Sequence, residues 1–208
     1  QFSSPINVAI PSGNFGNAYS AWYGRDNGLP INEIFCSSNV NDVLTRFISS
    51  GKLEPKETIP SVAPSMDIQI PSSLERLIYN LEGETSSFYD QLQSDKIASL
   101  SEKSILKLQN IFSSLSFNDA MILKEIELFY KNYGWIIDPH TATALSSSAS
   151  FSSNLPVVGI ATASPEKFSN VISKIIDEFT IENKKNEEKF LVEKANSSLV
   201  ENTIKEHL

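Results

Sequence analysis

The stretch Val8-Ala9-Ile10-Pro11-Ser12-Gly13-Asn14-Phe15-Gly16-Asn17 decides the fold of this chain. Its first residues are predicted as a short buried strand that ends at Pro11, and residues 18–25 are predicted as a helix. Between them, Gly13 and Gly16 allow positive φ and a close backbone approach to an anion, which the N–H groups at a helix start also attract. The stretch therefore predicts a strand–turn–helix unit that is either a phosphate-binding loop or an ordinary tight turn.

The same alternation of strand and helix continues along the chain. Residues 31–38 are predicted as a second strand, residues 39–42 offer capping side chains for a helix that ends at Gly51, and residues 156–163 are predicted as a third strand. Strands that alternate with helices are typical of a parallel sheet. We therefore predict an α/β fold: an incomplete three-layer structure in which the strands at 6–10, 31–38 and 156–163 are parallel and helices cover both faces.

Four helix starts carry recognisable signals. Ser72-Ser73-Leu74-Glu75 has the spacing of a capping box. Asn118 precedes a strongly periodic helix, and Asp138-Pro139 combines a capping residue with proline at the first helical position. Ser164-Pro165 repeats that combination before an apolar stripe that runs from Phe168 to Phe179.

These signals divide the chain into four segments. Residues 1–81 form an α/β part that includes the glycine loop, and residues 82–117 are a peripheral helical segment of low information. Residues 118–179 contribute late helices, the final strand and its helix to the same domain. Residues 180–208 are predicted as a charged helix or tail.

The composition excludes several classes of protein. The chain has 208 residues with 17 Lys and Arg against 25 Asp and Glu, a formal net charge of −8, and non-specific nucleic-acid or membrane-surface binding requires clustered positive charge instead. Its one cysteine, Cys36, excludes an intrachain disulfide and a cysteine-based zinc site, and we predict no metal site. There is no apolar run long enough to span a membrane and no signal peptide, so we expect a cytoplasmic protein.

Five motifs, met in order, resemble those of the threonine synthases, pyridoxal-phosphate (PLP) enzymes of fold type II. The match covers roughly residues 7–81 and 118–178. The motifs are the stretch from Val8 to Gly16, Asn39-Val40-Asn41-Asp42 with Arg46-Phe47, Pro64-Ser65-Met66-Asp67-Ile68 with Glu75-Arg76, Tyr133-Gly134 with Asp138-Pro139-His140-Thr141-Ala142, and Ala161-Thr162-Ala163-Ser164-Pro165-Glu166-Lys167-Phe168.

The resemblance implies a cofactor, a reaction and particular roles. Threonine synthases convert O-phospho-L-homoserine and water to L-threonine and phosphate, with PLP as the electron sink. Thr162 would place its hydroxyl at the pyridine nitrogen of PLP. The residues that would hold the cofactor phosphate through backbone N–H groups are Gly13, Asn14, Phe15, Gly16 and Asn17.

Two further side chains, Arg46 and His140, each have two possible roles. Arg46 either contacts an anionic substrate or forms a salt bridge at the surface. His140 either faces the cofactor cleft or makes local packing and hydrogen-bond contacts.

The resemblance also implies that part of the enzyme is missing. In this family the lysine that forms the Schiff base, and most groups that bind the substrate phosphate, lie upstream of the glycine loop and so before Gln1. We therefore expect the chain to be a C-terminal portion that is inactive by itself, lacks the N-terminal part of the same protein, and is prone to self-association through an uncovered core face. Two alternatives stay open: another fold type II lyase, such as a serine or threonine dehydratase, and a threonine synthase-like protein that binds a phosphorylated ligand without turnover.

Overall fold

The computed structural model describes residues 4–151 and 153–176. The strands are β1 (Ile6–Pro11), β2 (Ile31–Ser38), β3 (Lys52–Leu53), β4 (Ala98–Ser99), β5 (Phe112–Ser116) and β6 (Val157–Gly159). The helices are α1 (Gly16–Asp26), α2 (Val43–Ser50), α3 (Leu74–Glu82), α4 (Ser86–Asp95), α5 (Glu102–Ile111), α6 (Asp119–Tyr133), α7 (Pro139–Ser146) and α8 (Ser169–Ile172), with short 3-10 turns at Pro64–Met66, Ser148–Ser150 and Pro165–Phe168.

The central feature is a parallel sheet with the strand order β5-β2-β1-β6. Val8 of β1 pairs with Ile34 of β2 on one side and with Val158 of β6 on the other, and both pairings are parallel. The predicted parallel arrangement of the three strands is therefore confirmed. The third strand is shorter than predicted, because after Gly159 only the backbone N–H of Ile160 still bonds to β1.

Helices cover both faces of this sheet, as predicted. On one face, Val8, Ile10 and Ile34 belong to an apolar cluster that also contains buried residues of α1, α2, α3 and α5. On the other face, the hydroxyl of Ser37 lies 2.8 Å from that of Thr143 in α7. Successive side chains of a strand point to opposite faces of the sheet, so β1 and β2 pack against helices on both faces.

Residues 82–117 differ from the peripheral helical segment that was predicted. They contain α4 and α5, but also β4 and the sheet strand β5. Phe112 pairs with Ile34 and packs against Phe15 with 5.2 Å between ring centroids, and the hydroxyl of Ser114 donates to the carbonyl of Cys36 at 2.6 Å. The strand was missed because contacts with β2, rather than its own serine-rich sequence, stabilise it.

The predicted helix starts have different outcomes. Asn118 and Asp138 cap α6 and α7 through their side chains, as expected. The predicted capping box at Ser72 is not formed, because α3 begins without a side-chain cap. The Ser72 hydroxyl donates instead to the side-chain oxygen of Asn14 at 3.2 Å. Ser164-Pro165 begins a 3-10 turn without a side-chain cap, and the helix α8 that follows has four residues. Of the apolar stripe, Ile172 and Ile176 are buried. Residues 177–208, which include Phe179 and the segment 180–208, lie outside the described residues.

Length and polarity of the helices also bear on membrane insertion. Across residues 4–151 and 153–176, no helix combines the length and the apolar character that crossing a membrane requires. A cytoplasmic location stays a prediction.

Candidate cofactor site

A cleft lies where β1 and β6 end. Both strands are parallel neighbours, so the residues that follow their carboxyl ends meet at one edge of the sheet. The chain leaves β1 toward β2 on one side while β6 lies on the other side, and such a switch in strand order is where open α/β sheets bind ligands. The cleft has a volume of about 270 Å³ and is lined by Pro11, Ser12, Gly13, Asn14, Phe15, Gly16, Asn17, Ser65, Met66, His140, Thr162 and Ala163.

The glycine loop turns sharply into α1 at Phe15. This residue adopts the left-handed conformation with φ of 70°, and its side chain is 1% exposed because it fills the core beneath the loop. No side chain caps α1 and no acidic residue lies in its first turn. The first N–H groups of a helix have no partner within it, so the loop offers backbone donors and a positive helix dipole to the cleft.

Gly13 is required by a close contact between the loop and the Pro64–Met66 turn. A Cβ atom at Gly13 would lie 2.8 Å from the carbonyl oxygen of Ser65 and 3.2 Å from the Cα atom of Met66. Both neighbours are backbone atoms, which cannot move away by a rotamer change as a side chain can. At Gly16, by contrast, a Cβ atom would meet the Ser73 hydroxyl at an ordinary 3.6 Å.

Asn14 attaches the loop to the start of α3. Its side-chain oxygen accepts from the hydroxyl of Ser72 at 3.2 Å and from the backbone N–H of the same residue at 3.4 Å. Its carbonyl accepts from the backbone N–H of Ser73 at 3.0 Å. The loop is therefore held from two sides, by α3 and by the Pro64–Met66 turn.

His140 forms part of the cleft wall and also makes local contacts, so both interpretations from the sequence apply. Its Nδ1 atom lies 3.0 Å from Asp138 Oδ1, and its Nε2 atom accepts from the backbone N–H of Ser65 at 3.1 Å. Burial acts to raise the pKa of Asp138, but hydrogen bonds from His140 and Thr141 outweigh it and hold that pKa below its usual value.

The structure brings the predicted cofactor residues together but leaves Arg46 elsewhere. Thr162 follows β6 and lines the same cleft as the loop. Arg46 is not among the lining residues; its Nε atom donates to Asp42 at 2.9 Å and its Nη2 atom to the carbonyl of Glu54 at 2.9 Å. This placement matches the second interpretation of Arg46, a salt bridge at the surface.

Sequence reasoning missed the wall formed by Ser65 and Met66. Their segment was noted as one of the family motifs, but no spacing or composition connected it to the loop. The contact with Gly13 is made only in the folded chain, so the sequence carries no local signal for it.

The chemistry of the cleft suits a phosphate attached to a heteroaromatic ring. Its described lining residues include no lysine, arginine or carboxylate. The donors are backbone N–H groups and hydroxyls, which bind a phosphate by hydrogen bonds and the helix dipole. Gly13 lets the loop pass directly against the backbone of Ser65 and Met66, and Thr162 adds a hydroxyl at the end of the neighbouring strand. The residues present therefore fit PLP.

Comparisons with known proteins identify relatives of the chain. No protein-family model matches the chain. Threonine synthase from Pseudomonas aeruginosa is 30% identical over 175 residues, which are 81% of this chain and 37% of that protein. Human threonine synthase-like 1 is 34% identical over 182 residues, which are 84% of this chain and 24% of that protein.

Solved structures give the same result. A PLP-bound threonine synthase from Brucella melitensis has a TM-score of 0.80 and 28% identity, over 84% of this chain and 39% of that one. Yeast threonine synthase, at 24% identity, shares the fold with a TM-score of 0.80 over 97% of this chain and 47% of that one. The chain thus spans between a quarter and a half of the length of these proteins.

The chain has the fold of the fold type II PLP-dependent enzymes and spans part of it. Within that class, the chain is a homologue of the threonine synthases.

Proposed function

We propose that the chain forms the PLP-holding part of a threonine synthase, which converts O-phospho-L-homoserine and water to L-threonine and phosphate. One observation supports this proposal above the others. The loop from Gly13 to Asn17 and Thr162, far apart in the sequence, line one cleft at the carboxyl ends of two neighbouring parallel strands.

In this proposal the loop and Thr162 bind different parts of the cofactor. The backbone N–H groups of Gly13 to Asn17 bind the phosphate, and Thr162 places its hydroxyl at the ring nitrogen, where a hydroxyl leaves that nitrogen largely unprotonated. When bound, PLP supplies an electron sink for carbanions next to the substrate amine. Turnover is proposed for the full-length gene product, because the chain spans 37% of the length of the threonine synthase from Pseudomonas aeruginosa.

A second candidate is a threonine synthase-like protein that binds a phosphorylated ligand without turnover. It is favoured by relatives named threonine synthase-like 1, from human and Macaca fascicularis, which are 34% and 35% identical to this chain. Such a protein would keep the loop, whose donors are backbone groups, whatever happens to the catalytic side chains. The relatives and structures described above carry threonine synthase names, which favours both candidates over a dehydratase.

The partner proposed for this part is the remainder of the same polypeptide. Among the described residues, strand β6 pairs with β1 alone and so forms an edge of the sheet, and Val157 and Val158 are 36% and 41% exposed. An uncovered strand edge with apolar side chains readily accepts a further strand. Without the remaining polypeptide, a second copy of the chain could occupy that edge and cause self-association.

The test uses the full-length gene product with O-phospho-L-homoserine and PLP. Release of inorganic phosphate with equimolar threonine, identified by mass spectrometry, is the expected result. PLP binding without phosphate release would select the second candidate. Absence of PLP and phosphate binding would overturn both.

A further inference from the structure

His140 joins three elements at the wall of the cleft. On its own helix it contacts Asp138, and across the cleft it contacts the backbone of Ser65. Phe168 packs against the ring with 4.8 Å between centroids. The residue is 3% exposed, so these contacts, rather than solvent, determine how the imidazole is protonated.

The directions of the hydrogen bonds define that protonation. A backbone N–H can only donate, so Nε2 accepts from Ser65 and carries no proton. The Asp138 carboxylate can only accept, so Nδ1 carries the proton. The ring is therefore neutral in this arrangement, because an imidazolium would direct a second N–H against the N–H of Ser65.

We propose that neutral His140 is a positioning residue of the cofactor cleft, which holds the Pro64–Met66 turn in place against the glycine loop. The inference rests on the proposed function and deepens it. The Ser65 carbonyl oxygen lies 2.8 Å from where a Cβ atom of Gly13 would be, and Met66 lines the cleft beside it. A turn released from His140 would therefore change the shape of the loop that binds phosphate.

The Pro64–Met66 turn depends on this acceptor. A side chain without an acceptor at position 140 would leave the Ser65 N–H without its partner in the protein. Three groups face the ring: the Asp138 carboxylate before α7, the Ser65 N–H of the Pro64–Met66 turn and the aromatic ring of Phe168. The neighbouring helix α6 contributes Ile122 and Ile126 to the apolar cluster against which Phe168 packs.

The test compares two substitutions of His140 in the full-length gene product, with PLP and inorganic phosphate as the ligands. His140→Phe keeps a ring against Phe168 but has no acceptor, and we expect the Kd for PLP to rise about tenfold near neutral pH. His140→Gln keeps an oxygen that can accept from Ser65 and does not titrate, and we expect a Kd within about threefold of the parent.

The tautomer of His140 separates positioning from a merely structural role, because only the arrangement with an accepting Nε2 can hold the Ser65 N–H. Long-range ¹H–¹⁵N NMR should show protonated Nδ1 and unprotonated Nε2 near neutral pH.

Thr141→Val is the matched control. The Thr141 hydroxyl donates to Asp138, so its loss should lower thermal stability while the Kd for PLP stays within about threefold. If the parent binds neither PLP nor phosphate, the proposed function fails. If the parent binds but His140→Phe binds PLP as tightly as the parent does, or if Nε2 is the protonated nitrogen, the inference alone is overturned. The tautomer measured by NMR remains decisive if His140→Phe does not fold.

Discussion

The two faces of the central sheet differ in how they are stabilised. Toward α1 and α2, strands β1 and β2 present Val8, Ile10 and Ile34 to one apolar cluster. Toward α7, the same strands present Ala9, Ser37 and the buried aromatic ring of Phe35, which packs against Phe151. The first face is apolar at these positions, whereas the second combines an aromatic side chain with a hydroxyl hydrogen bond between Ser37 and Thr143.

This difference shows where the fold accommodates a binding site. A polar face costs stability unless every buried group finds a partner. Within the described residues, each buried side-chain nitrogen and oxygen has a hydrogen-bond partner. The α7 face can therefore hold an imidazole and hydroxyls beside the cleft, while the opposite face supplies most of the apolar burial.

The largest expected effect is on the apolar face. Phe47 is fully buried and packs edge-on against Phe88, so Phe47→Ala should lower the free energy of unfolding by about 3–5 kcal/mol. Thr143→Val on the other face should cost about 1 kcal/mol. Urea unfolding of the full-length gene product measures both, and equal losses would contradict the comparison between the faces.

Gly13→Ala should affect the cleft more than the core. Its Cβ atom would lie 2.8 Å from the Ser65 carbonyl, so the loop must move. We expect a loss of about 1–3 kcal/mol in stability and at least about a tenfold weaker affinity for PLP by calorimetry. Gly16→Ala, whose Cβ has room, should change stability by no more than about 0.5 kcal/mol. Equal stability losses would show that the close contact is unimportant.

Asp138→Asn should remove a pH-dependent contribution from the polar face. Because the pKa of Asp138 is lowered in the folded state, its carboxylate contributes stability above the unfolded pKa of about 3.9, and that contribution is lost as pH falls through the lower folded value. The variant should be about 1–3 kcal/mol less stable near neutral pH. Unfolding measured over a pH series should show this difference shrinking below about pH 4. A stability difference that does not change with pH would contradict the lowered pKa of Asp138 in the folded state.

Thr162 gives the smallest expected effect and separates binding from stability. Its side chain is exposed and lines the cleft, so Thr162→Val should leave the free energy of unfolding within about 0.5 kcal/mol of the parent. The Kd for PLP should rise about three- to tenfold through loss of one hydrogen bond, and Thr162→Ser should restore it. An unchanged Kd in the valine variant would exclude the ring-nitrogen contact.

Elements whose energies are local could be predicted from the sequence. Asp138-Pro139 places an N-cap and a fixed φ at the start of α7, and the glycine loop between a strand and a helix defines the turn before α1. Capping and turn formation involve residues only a few positions apart. For the same reason the loop residues and Thr162 could be proposed as site residues, through motifs that are each continuous in the sequence.

Elements that depend on distant partners could not be predicted in this way. The capping spacing at Ser72 was misleading because its hydroxyl bonds to Asn14, which the sequence places far away. Strand β5 has little apolar character of its own, and its pairing with β2 and the burial of Phe112 stabilise it.

The sequence by itself determined the parallel α/β class, the strand–loop–helix unit and two of the polar caps, because each follows from interactions within a few residues. Only the tertiary structure decided that Ser65 and Met66 line the cleft, that Arg46 lies outside it, and that His140 is held between Asp138 and Ser65. Each of these outcomes depends on contacts between residues that are far apart in the sequence, and a buried polar side chain such as His140 must find its partners among them.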